Sequence, residues 1–227
     1  GELSLGTDGH RDGLLEYGFD GQAVTIRSGP PMGAYPADYP VKLRAMAEQP
    51  EFAGLTLRLR LRDRLAELER PLQTARYGGT NALPAGTDGT ADDLKGQTKP
   101  RIYGVVKNAA AVLVNTARLI YQVHDGALQA VGAVYDRGAA LTAGTAYTSE
   151  ADMQANAPSA GQYRVWLAGG MLRLGSLPSG QVTVDATEGA SAAARYAGAL
   201  LSRVAQQMGL SSGEVSAADV AALDAAA

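Results

Sequence analysis

Leu55-Thr56-Leu57-Arg58-Leu59-Arg60-Leu61 is the clearest periodic signal in this chain. Side chains of an extended strand alternate between two faces, so the four leucines share one side and Thr56, Arg58 and Arg60 share the other. This is the pattern of a half-buried strand in an antiparallel sheet. Immediately after it, Asp63 stands where a helix N-cap would, ahead of Arg64-Leu-Ala-Glu-Leu-Glu-Arg70, and Pro71 ends that short helix.

The same kind of reading extends in both directions. Leu14-Leu-Glu-Tyr-Gly-Phe-Asp20 and Ala23-Val-Thr-Ile-Arg27 are short candidate strands separated by the Asp20-Gly21 turn. Downstream, short β segments are expected near 102–106, 111–114, 118–124, 130–135 and 139–142. Glu150 to Asn156 is expected to make one or two helical turns. Tyr163-Arg-Val-Trp-Leu167 and Met171-Leu-Arg-Leu174 flank Gly169-Gly170, a two-residue hairpin signal, and Gln181-Val-Thr-Val-Asp185 is the last strand. From Glu188 the composition turns to alanine-rich helix. Ala192, Tyr196, Ala199, Leu200 and Val204 form a stripe at helical spacing, and Gly209 marks the stop. Ser216 caps a second helix from Ala217, with Asp219 as a weak capping box. Many short strands followed by helices define an α+β chain dominated by β, with short-stranded antiparallel sheets or a barrel and C-terminal helices. Three parts are expected: a β-rich tube-type portion over 1–75, a β-rich inserted domain over 76–176, and a strand with two helices over 177–227 that opens a further domain. Gly1-Glu-Leu-Ser-Leu5 reads as mid-strand and Asp224-Ala-Ala-Ala227 as mid-helix, so a longer polypeptide is expected.

Composition narrows the function classes. The 227 residues carry a net charge of −3 and no block of Lys or Arg, which disfavours capture of nucleic acid or an acidic membrane. Without cysteine there is no disulfide framework, thiolate metal site or Cys nucleophile. No apolar run approaches the roughly 20 residues that cross a bilayer, and neither end resembles a signal peptide. No cofactor or metal site is expected. His10 and His124 lie apart and read as exposed turn histidines, and no HExxH spacing occurs. Asp92 and Asp93 are adjacent, so in a helical turn they point about 100° apart and do not face a sugar from two sides. Thr90-Ala-Asp-Asp93 reads instead as a capped first turn. Asp88-Gly-Thr-Ala-Asp-Asp93 lacks the alternating ligands of a Ca²⁺ loop, and no catalytic residue is assigned. Arg58, Arg60 and Arg62 share a strand face, but Asp63, Glu67 and Glu69 nearby favour salt bridging over a DNA stripe. Tyr163 and Trp166 are the possible ligand-facing aromatics, with one of the two expected in the core.

The remaining long segment is Arg76-Tyr-Gly-Gly-Thr-Asn-Ala-Leu-Pro-Ala-Gly-Thr-Asp-Gly-Thr-Ala-Asp-Asp-Leu-Lys-Gly-Gln-Thr98. Ordered loops longer than about 12–15 residues usually have a function, and this one carries Tyr77, Leu83 and Leu94. It runs into Lys99-Pro-Arg-Ile-Tyr-Gly104, then Tyr121-Gln-Val-His-Asp-Gly126 and Val134-Tyr-Asp-Arg-Gly138. Together with Leu61-Arg-Asp-Arg-Leu65, Arg76-Tyr-Gly-Gly-Thr-Asn81 and Gly180-Gln-Val-Thr-Val-Asp185, these runs resemble the tail-tip, or baseplate hub, proteins of tailed bacteriophages and phage-like particles. The resemblance implies a structural virion component rather than an enzyme: β-barrel tube domains in a ring that closes the tail tube and carries fibres or a spike. It implies a homotrimer, alternatively a hexamer, beside a distal tail ring and fibres, assembled in the host cytoplasm and residing in the virion. No membrane or specific nucleic-acid partner is expected. Tyr77, Asn81, Leu83, Leu94, Lys99, Arg101 and Tyr103 are the candidate assembly residues. The loop is expected to order on assembly, so that deleting Thr80 to Gln97 would spare the monomer fold. A receptor- or carbohydrate-binding module of the tail tip is the alternative, and a cell-wall hydrolase ranks below both.

Overall fold

The computed structural model describes residues 1–6, 13 and 16–226, apart from the side chains of Phe52, Ala53, Arg64 and Glu67. The described part is β-dominated, with three sheets and short helices that lie mostly toward the C-terminus. It forms two compact units, Gly1–Arg70 and Pro71–Ala227.

The first unit contains β1 (Glu2–Gly6), β2 (Ala23–Arg27), β3 (Val41–Ala47), β4 (Glu51–Ala53) and β5 (Thr56–Arg62). They pair antiparallel in the order β1-β5-β3-β2, with β4 also on β5. The register sets Leu3 beside Leu59, Leu5 beside Leu57, Ala47 beside Leu61, Val24 beside Ala45 and Ile26 beside Leu43. One face of the sheet is therefore apolar, as the alternation in β5 requires. Arg58, Arg60 and Arg62 lie on the other face against Glu2, Glu51 and Glu48 at 3.8, 4.0 and 3.7 Å. These pairs are exposed, so each adds little stability, and they occupy the arginines that a DNA stripe would need. Leu55, expected in the leucine row, sits instead in the Gly54–Leu55 turn and is exposed. Asp63 does cap, accepting from Leu65 N at 3.0 Å, but the segment it opens is a 3-10 turn over Arg64–Leu68. Of the candidate strand Leu14–Asp20, Leu14 and Leu15 lie outside the described residues, and Glu16 to Asp20 form no strand.

The second unit places β6 (Val105–Ala110), β7 (Val112–Asn115), β8 (Ile120–Gln122), β9 (Ala130–Asp136), β10 (Ala139–Ala140), β11 (Thr142–Ala143), β12 (Gln162–Trp166), β13 (Met171–Leu174) and β14 (Val182–Thr187) in two sheets. Their orders are β10-β9-β14-β6 and β11-β12-β13-β8-β7. β14 lies between β9 and β6, so the segment that the sequence divides near Ser176 shares a sheet with the residues before it. Tyr121, Val134, Tyr163, Leu172, Leu174, Val182 and Val184 fill the core between the two sheets. On the far face of the second sheet, Val114, Ile120 and Met171 pack with Tyr77, Leu94, Tyr147 and Met153. That sheet is thus a middle layer: the first sheet covers one face, and the long loop and α1 (Glu150–Ala155) cover the other.

The β12–β13 connection is four residues long, since Trp166 pairs with Met171. Leu167–Gly169 make a 3-10 turn and Gly170 adopts a left-handed φ of 62°. Gly170 O accepts from Val123 N and His124 N, at 2.9 and 3.2 Å. The capping box falls at Ser211 and Glu214, a turn earlier than expected, while Ser216 caps α3 (Ala217–Ala225) by accepting from Asp219 N. The alanine-rich helix starts only at α2 (Ala197–Gln207), after a 3-10 turn over Ala193–Arg195.

The residue before α2, Tyr196, has no side chain suited to capping it. Asp224 of α3 supplies the acceptor, 2.6 Å from Gly198 N, and Gly198 gives the close approach. A β-carbon there would sit 2.7 Å from Val220 O and 2.8 Å from Asp224 Oδ1. Asp224→Ala is expected to fray α2 at a cost of about 1 kcal/mol. Gly198→Ala is expected to separate the two helices despite the higher helix propensity of alanine. Helical circular dichroism during thermal melting checks both.

Candidate functional site

The long loop is closed at its base. Arg76 bridges to Thr98, Tyr77 N donates to Gln97 O and Gly96 N to Tyr77 O, both at 2.9 Å. Ends this close, with the loop's own side chains packed inside, make it a compact closed loop, longer than the roughly 6–16 residues of an Ω-loop. Asn81 organises the interior: its Nδ2 donates to Val114 O at 2.6 Å and its Oδ1 accepts from Asp88 N at 2.8 Å. Asn115 on β7 reaches back, donating to Pro84 O at 3.0 Å and Gly86 O at 2.8 Å. From α1, Gln154 Oε1 accepts from Gly86 N and Glu150 Oε1 accepts from Thr87 Oγ1. These bonds satisfy backbone groups that a loop pressed on a sheet would otherwise bury unpaired.

This geometry divides the candidate residues. Tyr77 and Leu94 are 2 % and 8 % exposed inside the single chain, so they hold the loop to the sheet and offer no surface to a neighbour. Asn81 is committed to internal bonds. Leu83 is 45 % exposed, at the tip Ala82-Leu-Pro-Ala85, whose residues all face solvent. Thr90 to Asp93 enter a run of turns rather than the first turn of a helix, with Asp93 Oδ1 accepting from Thr90 N.

Lys99 Nζ lies 2.9 Å from Asp88 Oδ1 and 5.3 Å from the Tyr77 ring centre. Burial pushes the Asp88 carboxyl up, but hydrogen bonds from Lys99, Gly78 and Thr80 outweigh it and hold the group below its ordinary value. A carboxylate whose folded pKa is depressed adds stability above its unfolded pKa, about 3.9, and loses it as pH falls through the folded value. Asp88→Asn is therefore expected to lower the melting temperature at pH 7, with the gap to wild type closing below about pH 4. Melts across pH check it. Burial, followed by the Asp125 and Asp88 charges, pushes the Tyr77 hydroxyl above its ordinary value.

The segment after the loop is a junction. Pro100 O accepts from Asp125 N at 2.7 Å. The Gln207 carboxamide of α2 sits between Arg101 and Tyr103, and with its oxygen toward Arg101 its nitrogen donates to the Tyr103 hydroxyl at 2.8 Å. Gly104, at φ 70°, donates to Glu188 Oε2 at 3.2 Å and accepts from Glu188 N at 2.7 Å. Glu188 also forms a two-pronged pair with Arg203 of α2. His124 is the principal correction: it is 5 % exposed, not a surface turn residue, and its Nδ1 accepts from Ile102 N at 3.0 Å. His10 lies outside the described residues.

Tyr163 is 3 % exposed in the core between the sheets, and Trp166 packs against the other core. The two rings therefore share no ligand-facing surface, and Tyr163 has none. The remaining motif residues are also anchors. Asp136 accepts from Ser179 N and Gly180 N at 2.7 and 2.9 Å. Asp185 accepts from Lys107 Nζ at 2.8 Å, Asn108 N at 3.0 Å and the Tyr135 hydroxyl at 3.3 Å. Sequence reasoning passes over Asn115, Gln154 and Glu188. The Asn115-Thr turn between strands was the signal for the first; the other two sit in unremarkable contexts. Among the described residues no helix is long and apolar enough to cross a membrane. Comparison with protein-family models, curated proteins and solved structures finds no match in any of the three.

Proposed function

We propose that this chain is a structural subunit of the tail tip of a bacteriophage or phage-like particle, a baseplate hub protein without catalytic residues. It forms a ring of three copies, alternatively six, that closes the tail tube, borders the distal tail ring and carries fibres or a spike. It is assembled in the host cytoplasm and resides in the virion. The observation that supports this reading is the use made of the resembling motifs. Asn81, Lys99, Gly104, Asp136 and Asp185 all hold loop, sheets and helices together. These motif residues serve the fold, as they would in a structural subunit. The exposed apolar tip Ala82–Ala85 is the surface of the loop best placed to meet a neighbouring subunit.

Gold-labelled antibody raised against the chain, applied to purified tailed particles from the same source, tests the assignment. Label is expected at the distal end of the tail. Label on the capsid, or on no particle while the chain is present in the lysate, would overturn it.

A further inference from the structure

Four connections converge where α2 meets the β body. Glu188, just past the end of β14, grips Arg203 through both carboxylate oxygens, with Arg203 Nη2 at 2.9 Å from Oε2. Gly104 exchanges backbone bonds with the same glutamate, and Gln207 sits between Arg101 and Tyr103. A β-carbon on Gly104 would stand 3.3 Å from Leu200 Cδ1, so that glycine packs directly beneath the helix. An open cleft of about 310 Å³, lined by Ala127–Gln129, Glu188–Ala190 and Arg203, borders the joint. The helix pair is thus tied to the β body at segment 100–104 and at Glu188, beside an open cleft.

Segment 100–104 rests in turn on His124. Ile102 N donates to Nδ1 of this buried imidazole, which is possible only while that nitrogen carries a lone pair. The charged groups that act on the ring are Arg101 of the segment, Asp125 beside it and Glu188 after β14, which in turn holds Arg203 of α2. The 167–170 connection, bonded to His124 through Gly170, brings none. Protonation would set an N–H against the Ile102 N–H and bury a cation near Arg101, while Glu188 is already engaged by Arg203 and Gly104. Displacing residues 101–104 relieves both conflicts. It also withdraws Arg101 and Tyr103 from Gln207 and Gly104 from Glu188.

We propose that His124 and segment 100–104 form an acid-released latch, which loosens the α2–α3 pair on the β body, leaving the Glu188–Arg203 pair as a remaining tie, while the sheets stay folded. The proposal does not depend on the tail-tip reading. Burial, and after it the Arg101 guanidinium, hold the imidazole below its ordinary value. A histidine kept neutral in this way contributes its bond above about pH 6.5, and the contribution is lost as pH falls toward the folded value.

Hydrogen exchange of the full chain between pH 7.5 and 5, corrected for intrinsic rates, tests the latch. Protection of the α2 amides is expected to fall by up to roughly tenfold per pH unit below about 6.5, while β13 and β14 keep theirs. His124→Asn, whose Oδ1 stands on Cγ where Nδ1 does and so accepts from Ile102 N without carrying charge, is expected to give a flat profile. Constant α2 protection in the wild type, an equal fall in the variant, or concurrent loss in β13 and β14 would each overturn the proposal. Should the variant not fold, the wild-type His124 resonance decides: the fall in α2 protection must level off at its titration midpoint, and a fall that continues unchanged through that midpoint sinks the latch.

Discussion

Deleting Thr80 to Gln97 is expected to leave the second unit unfolded, the reverse of what a loop ordered only on assembly would give. The deletion removes Leu94 from the core on the outer face of the middle sheet, where it packs with Val114, Ile120 and Met171. It also removes the partners of Asn115 Nδ2 and the side-chain donor to Val114 O. A buried Leu lost to a cavity costs about 2–5 kcal/mol, and each buried polar group left unpaired costs about 1–3 kcal/mol more. Those losses together rival the whole stability of an ordinary domain, about 5–15 kcal/mol. The shortened chain should lose near-ultraviolet dichroism from Tyr77, Tyr121, Tyr147 and Trp166, and should be cut by protease throughout 71–227. Retention of a cooperative melt within a few degrees of wild type would show that the loop is dispensable to the fold.

At Tyr77 the sign of the effect should depend on the replacement. Tyr77→Ala removes one of the largest fully buried side chains and is expected to cost about 3–5 kcal/mol. Tyr77→Phe should be neutral, or stabilising by up to about 1 kcal/mol, because the buried hydroxyl finds no hydrogen-bond partner among the described residues and its desolvation is unrewarded. The ring, not the hydroxyl, is what the site uses: it fills the core and lies beneath the Lys99 ammonium. Chemical denaturation of both variants measures the difference. A Phe variant as damaged as the Ala variant would mean that the hydroxyl is bonded after all.

The features legible in the sequence are those whose cause lies within a few residues. β2 falls where its residues were read, β5 follows the leucine alternation, and Asp63 and Ser216 act as caps. The β-dominated class follows from the many short strands. β3 carries the same alternation in Val41, Leu43 and Ala45 against Lys42 and Arg44, but small Ala45 and Ala47 and the intervening Met46 blunt it. Long-range causes are a different matter. Tyr77 and Leu94 show no periodicity, and their burial comes from Ile120, Met153 and Met171, which only the fold brings near. His124 reads as a turn residue because the donor that fixes it, Ile102 N, stands 22 positions earlier. β14 reads as the opening of a new part because nothing local reveals β6 and β9 on either side of it.

Whether this chain builds a closed ring, as proposed for a tail tip, is tested by its molar mass by light scattering across a wide concentration range, with electron micrographs of the same fractions. A species of three chains, or of six, is expected, appearing as closed rings with a central opening. A mass of one chain at every concentration, with no rings in the micrographs, would contradict it.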